Sequence, residues 1–284
     1  MFERISRSWT LVKASAAVLQ RNRKLLLFPL ISAVAMFAVL LSFALPVLGL
    51  MFTGNGTRTN SETGSTTLYV VAFLFYLSQY FVIFFFNAAL VAAAMAQLNG
   101  DTPSVRDSLK VAASKWTAIL GYAAIAATVG MVLRAIQERV GFLGRIVAGL
   151  LGAGWTIATY LVVPVLVARD VGPVDAVKES VLILKRTWGE NLAGQAGMGA
   201  VFGVLQFLLI ILGAGLMFMA IGASNPFLMV LCAVMIGGAI LLSLLVHGAL
   251  SGIYAAALYR YATQNGNTQG FDSDAMRLAF VTKA

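Results

Sequence analysis

The chain has 284 residues, 60% of them apolar and 11% charged, with a mean hydropathy of +0.88 and a formal net charge of +9. A soluble domain carries roughly 25% charged residues, so 20 basic and 11 acidic side chains are too few to cover a water-facing surface of this size. One cysteine, Cys232, excludes an intramolecular disulfide and any multi-cysteine metal site, and one histidine, His247, leaves little room for zinc or haem.

The first 20 residues put Phe2, Ile5, Trp9, Val12, Ala16 and Leu19 on one helical stripe, with Lys13 and Gln20 elsewhere. A secretory signal places about 7–15 apolar residues after a short basic stretch. Here a patterned segment comes first, and the apolar run Leu25–Phe52 is far longer, so an uncleaved first span is expected. Arg21, Arg23 and Lys24 mark its boundary. The charge-free stretches then fall in membrane-sized pieces. Leu25–Thr57 holds one span and Thr63–Gly100 another, from about residue 68 to 98. Trp116–Leu133 holds the third, limited at Arg134, and Ile146–Ala168 the fourth. Asn191–Tyr259 has no charged residue and is too long for one crossing, since a ~30 Å core takes about 20 helical residues. The turn signal "GASNPF" at Gly222–Phe227 divides it into two. Membrane β-strands alternate over about 10 residues, and these runs are longer and do not alternate. The fold class expected is therefore all-α, a polytopic membrane bundle of six transmembrane helices forming one integral domain over 1–284.

Between the spans lie patterned segments. "TPSVRDSLKVAASKW" predicts a helix with Thr102 as N-cap and Pro103 in first position. Its apolar stripe is Val105, Leu109, Ala112 and Trp116. "GPVDAVKESVLILKRTW" carries the stripe Val174, Val177, Val181, Leu184 and Trp188, and "FDSDAMRLAF" is a weaker case near the end. Amphipathic helices beside spans are expected to lie in the interface plane. Tryptophan beside a cation recurs in "RSW", "SKW" and "KRTW", each followed by two spans. Three units of interfacial helix plus hairpin follow, 1–98, 99–168 and 169–259, with a tail at 260–284; ordinary interfacial placement of Trp and Lys accounts for the same pattern without a repeat. The residues expected to anchor at lipid headgroups are Trp9, Lys13, Arg21, Arg23, Lys24, Lys115, Trp116, Lys185, Arg186 and Trp188. Sixteen of the 20 basic residues fall on the side of the termini and the 99–115 and 169–190 loops, which predicts cytoplasmic termini in an inner or plasma membrane.

The segments "MFERISRSWTLVKAS", "AQLNGDTPSVRDSLK" and "ALYRYATQNGNTQGFDSDAMRLAF" together resemble a family of uncharacterised six-span bacterial and archaeal membrane proteins, known only as a domain of unknown function. The resemblance covers nearly the whole chain. It implies architecture and supplies no catalytic residues. A looser likeness links the alternation of interfacial helices and hairpins to the membrane domain of some glycerophosphodiester phosphodiesterases, whose soluble catalytic domain has no counterpart here.

An ionisable group inside a membrane is costly, about 2.5–3.5 kcal/mol on the lenient scale, and so points to function. No Asp or Glu falls inside an expected span. Arg134 lies near a span end with Glu138 four residues on, which predicts an ion pair snorkelling to the surface. His247 stands one turn from Ser243 and one from Ser251, but this spacing does not orient a nucleophile, and a hydrogen bond between helices is the expected role. Asn87, Gln97, Gln195 and Gln206 either bond across helices or line a polar path. Pro46 and Pro164 are expected to kink their spans. No phosphate loop, zinc spacing or nucleotide fingerprint is present. The sequence thus predicts a non-enzymatic membrane protein without cofactor. It meets membrane lipid, not nucleic acid, and binds or scaffolds through its interfacial helices, with a membrane-protein partner or a second copy allowed. The alternative is a small transporter or channel for a neutral or apolar solute.

Overall fold

In hydrocarbon no water is at hand to bond backbone N–H and C=O groups, and a single segment satisfies them along its own axis only as a helix. The computed structural model describes residues 15–52, 62–186 and 188–263, and among these every long apolar run is helical and no strand occurs. Helix α1 is described over residues 15–21 and leads through a short 3₁₀ turn, Arg23–Leu26, into α2 (Leu27–Phe52). Next come α3 (Glu62–Leu98), a short α4 (Val105–Ser114) and α5 (Trp116–Arg139). The chain continues through α6 (Phe142–Ala158), α7 (Val162–Ala168) and a second short helix, α8 (Pro173–Arg186). It closes with α9 (Trp188–Gly222) and α10 (Pro226–Thr263). Six stretches are long and apolar enough to cross a bilayer: Arg23–Pro46, Tyr69–Leu98, Trp116–Arg139, Gly144–Ala168, Gly197–Gly222 and Pro226–Arg260.

Local chemistry sets the turns. Gly100 adopts φ 91°, and the Asp101 N–H donates back to the Ala96 carbonyl at 3.1 Å, so α3 ends in a Schellman turn. The expected "GASNPF" turn forms: α9 stops at Gly222, Ser224 takes φ 50°, and Asn225 Oδ1 accepts from the Phe227 and Leu228 N–H groups at 3.1 and 3.3 Å. Pro226, which has no N–H to leave unsatisfied, opens α10. One expected cap moves. Helix α4 begins at Val105 after Ser104, not at Pro103 after Thr102. Ser104 keeps extended backbone, φ −85° and ψ 141°, and so takes the N-cap place expected of Thr102.

The fourth span, expected over Ile146–Ala168 with a kink at Pro164, is parted rather than bent. It breaks between Ala158 and Val162. Pro164 lacks the N–H that would reach Tyr160, and its ring crowds that carbonyl. Ser180, fully buried on α8, fills the gap. Its Oγ accepts from the Leu161 N–H at 3.2 Å and donates to the Ala158 carbonyl at 2.7 Å. These are the donor and acceptor that a continuous helix would have paired with Ile157 and Val162. Pro46, by contrast, lies inside the unbroken α2.

Helix α3 is the central element, packed against α2, α4, α5, α7 and α10. Its C-terminal half is rich in alanine (Ala88, Ala89, Ala93 and Ala94 are all buried), and it meets Ile119 and Tyr122 of α5, Val162 and Val165 of α7, and Ile253 and Tyr254 of α10. The buried core therefore gathers at the end of the bundle that carries the basic residues. Polar ties fasten that end. Gln97 donates to the Val18 carbonyl at 3.0 Å, holding α1 to α3. Lys115 reaches both the Arg169 carbonyl at 3.2 Å and Asp170 at 3.0 Å, and Arg169 pairs with Glu179 of α8 at 2.8 Å. The hydrogen bond to Tyr259, and then the charges of Tyr259 and Glu179, hold the Arg169 guanidinium above its ordinary pKa. Away from this end α9 packs chiefly on α10, with Gly213 tight against Ile236. Its outward side chains, such as Phe218 at 79% exposure, face the space that lipid would fill.

Candidate functional site

Beyond the core, α2 and α10 diverge over the face of α3. At Gly252 the absence of a side chain lets α10 press on α3: a Cβ there would lie 2.5 Å from Leu90 Cδ2 and 3.1 Å from Asn87 Oδ1. At Gly248 a Cβ would lie 4.0 Å from Pro29 of α2. Further from the basic end, Phe37 and Leu40 on α2 and Leu241 and Leu244 on α10 are all exposed. Between them lies a cavity of about 960 Å³. Ligand pockets commonly measure about 300–1,000 Å³, so this is a full-sized site. Helix α2 lines it with Ser32, Ala33 and Met36 as well as Phe37 and Leu40; α3 contributes Phe75, Tyr76, Gln79, Tyr80, Ile83, Phe86 and Asn87; α10 contributes Leu245, His247, Gly248 and Ser251. Tyr160, from the break in the fourth span, also reaches it. Among the described residues, no Asp, Glu, Lys or Arg is in the lining.

The polar side chains fall into two sets. Some are engaged: Gln79 donates to the Met36 carbonyl at 3.2 Å, and the Tyr160 hydroxyl donates to the Ser251 carbonyl at 3.0 Å. Others have no hydrogen-bond partner among the described residues: the Asn87 amide, Gln79 Oε1 and His247 Nδ1. The His247 ring stands edge-on to Phe202 of α9, centroids 4.7 Å apart. The hydrogen bond between helices expected of His247 is thus replaced by a ring contact. Ser243 Oγ is also buried without a partner, so no Ser243–His247 bond forms.

Of the four intramembrane polar candidates, Asn87 and His247 come together in this cavity, and Arg134 and Gln206 do not line it. Arg134 pairs with Glu138 at 2.9 Å as expected, and also donates to the Tyr76 hydroxyl at 2.6 Å. Gln206 lies one turn beyond Phe202 on α9, and its Oε1 is buried without a partner. Among the boundary residues, Trp116 is half exposed, Lys185 is exposed, and Lys115 is tied to Asp170. Arg21, Arg23 and Lys24 stand where α1 passes into α2. Trp9 and Lys13 lie outside the described residues, as do the side chains of Arg186 and Trp188. The stripe Val105, Leu109 and Ala112 of α4 packs on the protein core, while Arg106, Asp107 and Lys110 point outward. On α8 the buried face is Ala176, Ser180, Ile183 and Leu184, and Val174 of the expected stripe is exposed.

Sequence reasoning passed over Tyr76, Gln79, Tyr160 and Ser180. Gln79 carried the same signal as Asn87, an amide in mid-span. Tyr160 was marked by Pro164 four residues on. Nothing in sequence ties Ser180 to the break.

Six membrane-length stretches among the described residues define a multi-pass α-helical membrane protein, with a cavity between α2, α3 and α10. The chain belongs to the family of unknown function DUF6159, whose model matches residues 66–271. That agrees with the resemblance to an uncharacterised family and lends nothing to the likeness with phosphodiesterase membrane domains. No curated protein matches the sequence.

Proposed function

We propose that the protein is a non-enzymatic lipid-binding protein of the cytoplasmic membrane, holding a membrane lipid in the cleft between α2, α3 and α10. The observation that carries this reading is the cleft itself: about 960 Å³, walled by apolar side chains, uncharged, and open between α2 and α10 toward lipid. A water-soluble solute has no evident route to such a mouth, whereas a lipid tail already lies beside it. In this reading both termini face the cytoplasm, because basic residues are retained on that side. Arg21, Arg23, Lys24, Lys115, Trp116 and Lys185 stand at the headgroup boundary. Helices α4 and α8 lie at the same level, amphipathic with charged side chains toward the headgroups, and offer a surface for a membrane-protein partner or a second copy.

The test is native mass spectrometry of the full chain released gently from its own membrane, beside an Ala33→Trp variant that fills the cleft. A retained lipid mass in the wild type that is lost in the variant supports the reading. A bare monomer, or lipid retained equally by both, overturns it. The polar side chains along the wall favour a second reading, passage of a neutral or apolar solute. Uptake or transbilayer movement in proteoliposomes that Ala33→Trp abolishes would favour that reading.

A further inference from the structure

The depth and chemistry of the cleft narrow its ligand, on the reading that the cleft binds lipid. His247 is 13 residues from Arg260 at the basic end of α10, and Asn87 is 11 from Leu98 at the same end of α3. At about 1.5 Å rise per residue both stand roughly 16–20 Å in, near the middle of a ~30 Å core. At that depth a charged headgroup is strongly disfavoured unless a counter-charge meets it, and the lining holds none. Yet the wall is not wholly apolar here. Asn87 from α3 and His247 from α10 flank the same cavity with hydrogen-bonding atoms that no protein group uses among the described residues. Of the two, His247 Nδ1 is fully buried, and a buried polar atom without a partner is rare in folded proteins and calls for an explanation. Toward the other end the lining carries Phe37, Leu40, Phe75, Leu241 and Leu244, beside Tyr76 and Gln79.

We propose that the cleft takes a lipid with an uncharged oxygen-bearing head, a hydroxyl or carbonyl, hydrogen-bonded by Asn87 and His247, and with its apolar chain lying between α2 and α10. The Asn87 amide both donates and accepts, and so does a neutral imidazole. A hydroxyl head satisfies either, and a carbonyl accepts from both. Anionic and zwitterionic phospholipid heads find no matching charge.

The test uses the full chain in mild detergent with dioleoylglycerol as the uncharged probe and dioleoylphosphatidate as the anionic one. Affinities are read by native mass spectrometry for the wild type, Ala33→Trp, and the pair Asn87→Leu with His247→Leu. Dioleoylglycerol is expected to bind the wild type and to weaken about tenfold or more in the Leu pair, as for two interhelical-strength hydrogen bonds lost together. Asn87→Gln and His247→Asn should recover part of the loss. Should the Leu pair fail to fold, a dioleoylglycerol bearing a diazirine next to its head is photolysed on the wild type; labelling within residues 83–90 and 244–251 supports the assignment, and labelling elsewhere overturns it. Undiminished binding to a folded Leu pair, still blocked by Ala33→Trp, would overturn the head assignment and leave the cleft reading standing. Phosphatidate binding as tightly as dioleoylglycerol in the same cleft would overturn the uncharged class. No effect of Ala33→Trp on either probe would overturn the cleft reading and this inference with it.

Discussion

Replacing Ser180 with alanine removes one oxygen and leaves two backbone groups bare. The Leu161 N–H and the Ala158 carbonyl are held by Ser180 Oγ at 3.2 and 2.7 Å, in a region where Ser180 and Leu161 are fully buried. An unsatisfied buried polar group costs about 1–3 kcal/mol in soluble proteins. Polar contacts between membrane helices are weaker when measured, about 0.6 kcal/mol on average and 1.7 at most, because the chain finds other partners. Here relaxation is restricted: Pro164 prevents the break from closing into regular helix. Two lost bonds therefore predict a loss of roughly 1–3 kcal/mol for Ser180→Ala, at the upper part of the membrane range. The assay is thermal unfolding in mild detergent, where each kcal/mol shifts a midpoint by about 2–4 °C for a chain of this order of size. Ser108→Ala is the control, since Ser108 Oγ bonds only the Ser104 carbonyl, which the Ser108 N–H already satisfies at 3.1 Å. It should move the midpoint little. In a Pro164→Ala background the N–H is restored and the helix can close, so Ser180→Ala should cost less there than in the wild type. A Ser180→Ala protein as stable as the Ser108→Ala control, or a cost unchanged by Pro164→Ala, would refute the reasoning.

Gly252→Ala should destabilise by about 1–3 kcal/mol, an overpacking cost, because its Cβ meets buried Leu90 at 2.5 Å; Gly199→Ala, with open space around it, should be neutral or stabilising by up to about 1 kcal/mol, and paired melting curves check both. Orientation is tested in a Cys232→Ala background: Ala223→Cys, in the exposed turn, should react with a membrane-impermeant maleimide in intact cells, and Lys110→Cys on α4 only after lysis. The reverse pattern would invert the topology. With the other three tryptophans changed to phenylalanine, Trp116 fluorescence should be quenched most by lipids brominated near the headgroup and least by those brominated near the chain end.

Six spans were legible because hydrocarbon acts on every residue of a segment alike: a missing charge is visible wherever it occurs, and "GASNPF" announces its turn by local chemistry. The break in the fourth span was half legible. Pro164 marked the place, but whether a proline bends a helix or parts it depends on what can bond the freed groups, and here that is Ser180, 16 residues further along on another helix. The boundary residues were readable as a class and not in their partners. Lys115 faces Asp170 and Arg169 faces Glu179 through helix ends that only the fold brings together.

The cleft was the least legible feature, for a reason that applies to membrane bundles in general. In water, a patch of apolar residues on a helix marks the buried face; in lipid, apolar residues cover buried and exposed faces alike, so the pattern no longer says which helices touch. What separates contact from gap is side-chain size at a few positions. Gly252 lets α10 close on α3, Pro29 of α2 stands at ordinary contact distance from Gly248, and four to eleven residues further back along α10, Leu244 and Leu241 are exposed. Asn87 and His247 stand just where closure gives way to the gap. Ser251, one turn deeper, still reaches the cavity, whereas Ser243 and Gln206 do not line it. The place of an amide or imidazole in a span therefore depends on the local spacing of its helices, and it is this spacing that puts Asn87 and His247, of the four polar candidates, in the lining of the cleft.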